Sequence, residues 1–94
     1  MEEPTIESAV DAYRQYIGQK VAVLACRYQY RGFLSKVLKD CVILTNACSV
    51  EVSGASMSAA PSTEDVIGST IIISLDAIEL FYQPNWVNAP LPGE

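Results

Sequence analysis

These 94 residues have room for one hydrophobic core and are expected to form one domain, which excludes two cores within them. Half of its residues are apolar, yet a domain of this size buries only about 60–65% of the surface its unfolded chain exposes, so apolar surface is left over for another subunit to cover. With no histidine, and three cysteines outside any CxxC spacing, a Cys/His zinc site is excluded; a net charge of −5 is also a poor electrostatic start for binding phosphates. The six basic residues nevertheless all fall between Arg14 and Lys39, which keeps a local positive patch in play. Free thiols and the absence of a leader segment point to a reducing cytoplasm, and the longest apolar run, near 70–73, is far short of a membrane span.

In chain order, residues 5–17 read as one amphipathic helix. Thr5 is placed to cap it, Glu7 and Asp11 follow, and Ile6, Ala9, Val10, Tyr13 and Ile17 recur at helical spacing as an apolar stripe. Arg14 suits the C-terminal end of the dipole, and Gly18 supplies the stop. A first strand, about 19–26, is apolar on both faces, as expected of a strand with little solvent on either side. The second, 28–37, carries Gly32 in its middle, where a Cβ would obstruct a bend or a close backbone approach. A polar corner at Lys39-Asp40 leads to a third strand, about 41–52, and SGASMSAAPSTED (53–65) is an aperiodic loop, either mobile or functional. VIGSTIIIS (66–74) and AIELFY (77–82) give the fourth and fifth strands, joined tightly at Leu75-Asp76. The tail, QPNWVNAPLPGE (83–94), is too rich in proline for a helix or central strand; its Trp86 is expected to pack back on the body or on a neighbour.

This order of parts resembles the Sm-like family. Its first motif has a glycine in a bent second strand, an apolar residue two positions on, a polar turn, an apolar third strand and an Asn or Asp near that strand's end; here these are Gly32, Leu34, Lys39-Asp40, Val42-Ile43-Leu44 and Asn46. The spacing from Gly32 to Asn46 is more like the bacterial Hfq branch, so the resemblance is to a divergent bacterial or phage-type member. It covers roughly residues 6–82 and implies an N-terminal helix followed by a small, strongly bent five-stranded antiparallel barrel of the Sm-like, SH3-like kind. It also implies a homo-oligomeric ring in which the fourth strand pairs with the neighbour's fifth. An unpaired Ile71-Ile72-Ile73 edge would otherwise be an aggregation hazard; Ile78, Leu80 and Phe81 are the candidates on the facing edge.

RNA binding is what the resemblance suggests, and the residues answer unevenly. Hfq-like rings stack bases on an aromatic in the turn after strand two and hold RNA with basic residues near the second motif. The matching positions here are Lys39 and Asp40, then Leu75 and Asp76. Lys39 can meet a phosphate, whereas Asp40 repels one and Asp76 stands where Hfq-like proteins carry histidine. Asn46 offers either a polar contact to RNA or a buried hydrogen bond. A separate patch lies on strand two: alternation puts Arg27, Gln29 and Arg31 on one face and Tyr28 and Tyr30 on the other. Interleaved aromatic and basic side chains can stack bases and hold phosphates; equally, the tyrosines can pack under the helix while the arginines face solvent or acids of another subunit. No catalytic constellation, metal site or cofactor motif is present, so an enzyme is not expected. Two functions therefore stand: an RNA-binding ring of altered specificity, and a ring serving as a structural or protein-interaction module.

Overall fold

The computed structural model describes residues 9–51, 66–86, 89–91 and 94. Helix α1 spans Ala9–Arg14 and is followed by β1 (Lys20–Ala25), β2 (Tyr28–Val37), β3 (Cys41–Glu51), β4 (Val66–Ser74) and β5 (Ile78–Tyr82), with a single 3-10 turn at Leu75–Ala77 between the last two. The N-terminal half of the expected helix, Thr5 and Ile6 included, and the 53–65 loop lie outside the described residues. The strands form one antiparallel sheet in the order β4-β3-β2-β1-β5.

Alternation along β1 separates two cores. Val21, Val23 and Ala25 join Leu34, Val37, Val42, Leu44, Ala47 and Ile73 in the main cluster, whereas Ala22 joins Cys48, Trp86 and Leu91 in a second one. Residues of β4 and β1 meet in the main cluster although two strands lie between them in the sheet, so the sheet must curl around it. Across the curl, β4 faces the end of β1 over a cavity of about 390 Å³ lined by Ala25, Cys26, Tyr30, Ile71, Ile72, Ile73, Ser74 and Ala77.

The bend has a local cause. β2 and β3 pair Phe33 with Thr45 and then Arg31 with Cys48, leaving Asn46 and Ala47 opposite Gly32 alone. This is a β-bulge, and Asn46 takes it in the left-handed region at φ 53°, which asparagine tolerates better than most residues. A Cβ on Gly32 would sit 2.8 Å from the Thr45 carbonyl oxygen and 3.1 Å from Leu44 Cβ, so only glycine permits the approach. Asn46 is thus a mid-strand bulge residue with a hydrogen bond or other polar contact of its own.

Helix α1 closes the curl over β5. Val10, Tyr13 and Tyr16 pack on the main cluster, and Tyr13 stacks on Phe81 with ring centroids 4.3 Å apart. Ile17, expected in this stripe, is 46% exposed: the α-helix ends at Arg14, the chain turns, and the shift brings Tyr16 inward instead. Gly18, at φ 88°, donates its N–H to Leu34 O at 2.8 Å, and the Leu34 N–H returns to Gln19 O at 2.9 Å, tying this turn to β2.

Candidate nucleic-acid interface

The residues singled out for binding fall in four places. Arg27 sits in the β1–β2 turn beside Cys26, whose φ is 58°, and is exposed. Tyr28 follows, 41% exposed, with its ring 6.2 Å from that of Tyr30, which is half-buried and lines the cavity. Lys39 is at the far end of β2, about 30 Å along the strand by an extended rise of roughly 3.3 Å per residue. Asn46 is in the central bulge. Arg31 borders that bulge, opposite Cys48, and lies on the other face of β2 from Tyr30.

Arg31 corrects the expectation of an arginine stripe in solvent. It is 1% exposed and Gln29 is fully buried; only Arg27, in the turn, faces water. Arg31 Nε donates to Gln29 Oε1 at 2.7 Å, and Gln29 Nε2 donates in turn to the Tyr82 hydroxyl. The guanidinium lies 5.2 Å from the Trp86 ring centroid, a cation–π stack that suits a buried arginine better than an isolated charge. Among the described residues no buried side-chain nitrogen or oxygen lacks a partner. The tail is what covers this face: Trp86 and Leu91 are 8% and 3% exposed, and Lys20 Nζ donates to Ala89 O at 2.6 Å while pairing with Glu94 at 3.1 Å. The sequence placed Gln29 and Arg31 on one face of β2 and expected Trp86 to pack back, as it does, but it did not join the two: the missing step was that the tail returns to the face shared by Gln29, Arg31 and Phe33.

The two turns expected to line an RNA site do meet. Leu75 N–H donates to Asp40 O at 2.9 Å, which joins the β2–β3 corner to the β4–β5 connection. The joined corner shows Leu38, Lys39, Asp40 and Asp76 to solvent, two carboxylates against one cation. Among the described residues, no group of three or more His, Cys, Asp or Glu could hold a metal ion.

The interface candidates also divide. Ile73 is 7% exposed in the main cluster, Ile71 and Ile78 pack against it, and Phe81 lies beneath Tyr13 and Tyr16, so these four are used within the chain. Ile72 and Leu80 are 68% and 49% exposed, one on β4 and one on β5. Those strands are the two margins of the sheet: among the described residues β4 pairs only with β3, and β5 only with β1.

With helix, strand order and margins in place, the chain is similar to the Sm protein of Pyrococcus abyssii, solved in complex with a uridine heptamer, at a TM-score of 0.60 and 19% identity. The fold is the Sm fold. The match covers 81% of this chain and 97% of that one, so the likeness takes in nearly the whole archaeal domain. No family model and no curated protein matches the sequence. Among the described residues, no helix is long and apolar enough to cross a membrane.

Proposed function

We propose that the chain closes into a homo-oligomeric ring by pairing β4 of one copy with β5 of the next, and that the ring binds single-stranded RNA without catalysing a reaction on it. The observation that carries the ring is the pair of open margins bearing Ile72 and Leu80. A free β-edge with a large exposed isoleucine invites uncontrolled pairing, and closure by symmetry removes both edges at once. By register both Ile72 and Leu80 lie on the outer face, so continuing the sheet from β4 to a neighbour's β5 brings these two exposed side chains onto one surface. The uridine heptamer on the archaeal Sm protein supports RNA as the ligand class. Arg27, Tyr28 and Tyr30 supply a cation and two rings at one end of β2, and Lys39 a phosphate contact at the other. A divergent bacterial or phage-type origin and a reducing cytoplasm, in keeping with three free cysteines, complete this reading.

One observation favours the second reading, a ring that binds protein. The joined corner carries Asp40 and Asp76, both exposed, where phosphates would be expected to lie, and the whole chain is acidic. Size-exclusion chromatography with light scattering on untagged protein, read at 260 and 280 nm, separates the cases. A ring mass with excess 260 nm absorbance supports RNA binding. A ring mass with a clean protein spectrum turns the assignment to a protein-binding ring, and a monomer at micromolar concentration overturns the ring.

A further inference from the structure

A tail that merely completes a core would cover apolar surface. This one covers Phe33 together with Lys20, Gln29, Arg31 and the Tyr82 hydroxyl, and thereby occupies two of the chain's six basic residues. Lys20 adds a contact of its own, with Nζ 5.6 Å from the Phe33 ring centroid. Flat rings, a guanidinium, an amide and an ammonium on one sheet face are the groups with which sheets hold single-stranded nucleic acid: bases stack, phosphates meet cations, and amides read base edges. The tail answers each in kind. Trp86 lays a planar ring on Arg31, and Glu94 brings an anion to Lys20. These are the two chemistries a nucleotide would offer.

The tail is also weakly built. Beyond Tyr82 the described residues join no strand ladder; the backbone bonds among them are the local turns Ala89 N–H to Trp86 O and Glu94 N–H to Leu91 O. Among the described residues it is attached through buried Pro84, Trp86 and Leu91, with Ala89 against them, the Gln83–Gln19 side-chain bond and the contacts of Lys20. Segments held in this way open at a lower free energy than the sheet beneath them.

We infer that the tail is a releasable strap over a second RNA-binding face, formed by Lys20, Gln29, Arg31, Phe33 and Tyr82, and that tail and RNA compete for it. This rests on the RNA-binding reading above and adds to it a site on the outer face of the sheet and a control on that site. With the strap closed, only the open fraction of molecules binds there, so the apparent affinity falls by that fraction.

The test is fluorescence anisotropy with a labelled uridine-rich single-stranded oligonucleotide against full-length wild type, W86A, E94Q and W86A/R31Q. Cys48, buried beneath the strap, reports opening through its alkylation rate, with exposed Cys26 as the internal control. If the strap is open in about a tenth of molecules, W86A binds roughly tenfold more tightly than wild type. E94Q falls between them, W86A/R31Q loses the gain, and Cys48 is alkylated faster in RNA-free W86A than in wild type. Adding RNA to wild type shifts the emission of Trp86, the only tryptophan, to the red as its ring leaves the sheet. Equal affinity in wild type and W86A, with Trp86 emission unchanged in the RNA complex, overturns the strap and leaves RNA binding standing. No binding by any variant overturns both. If circular dichroism shows W86A unfolded, Trp86 emission of the wild-type RNA complex decides alone, a red shift supporting the strap and an unchanged maximum refuting it.

Discussion

The two faces of the sheet are built on opposite plans. The inner cluster is aliphatic at its centre, drawn from β1 to β4 and closed by a short helix; the outer one mixes apolar and hydrogen-bonded polar groups under a segment with no ladder of its own. The first has no use for exchange with solvent, because every group in it gains from staying dry. In the second, Lys20, Arg31, Gln29 and Tyr82 carry polar groups that water or another ligand can also satisfy, so opening it exposes less that must stay dry. On the strap proposed above, the inner face holds the molecule together and the outer face is the one that opens.

The sharpest way to break this contrast is from the inside. Leu34 is fully buried in the main cluster, and Leu34→Ala should lower stability by about 2–5 kcal/mol, measured by urea denaturation, with sheet and tail lost in one transition. Gly32→Ala comes next, at about 1–3 kcal/mol, because the added Cβ would press on the Thr45 carbonyl in a bulge that cannot relax without changing register. Trp86→Ala removes a larger side chain than Leu34→Ala yet should cost less, below about 2 kcal/mol, since a strap can lift where a core cannot collapse. A Trp86 variant that unfolds as readily as the Leu34 one would show the two faces to be a single cooperative unit.

Acid should have the smallest effect, confined to the outer face. The Leu91 N–H, and then Lys20, hold the Glu94 carboxyl below its ordinary value of 4.5. A depressed folded-state pKa means that the ion pair contributes fully above the unfolded value and is lost as pH falls through the folded one. Emission from Trp86, the only tryptophan, should therefore stay constant from neutrality down to about the ordinary carboxylate range and shift red below it. A red shift already complete above that range would remove Glu94 as the latch.

What the sequence made legible follows from period. β2 and β4 were readable to their ends, 28–37 and 66–74, because glycine, β-branched runs and turn residues bracket them. Gly32 was readable as a bend, since a buried mid-strand glycine has few other uses. The end of the helix was not: Ile17 keeps the helical spacing, and only the reversal at Gly18, made by its bonds to β2, turns Ile17 outward. Arg31 was misplaced for a related reason. Strand alternation gives its face correctly but cannot say that a tail more than fifty positions on returns to cover that face. The bulge at Asn46 was hidden likewise, because two residues opposite one is a property of a pair of strands and not of either alone.

Assembly through the two sheet margins is tested most directly by amide hydrogen exchange along β4 in the untagged protein at micromolar concentration. The amides of β4 that do not face β3 should exchange as slowly as those in the middle of β2, and Ile72→Glu should release them while leaving β2 protected. Free-edge exchange at those amides in the wild-type protein, fast and unchanged by Ile72→Glu, would contradict β4–β5 pairing between copies.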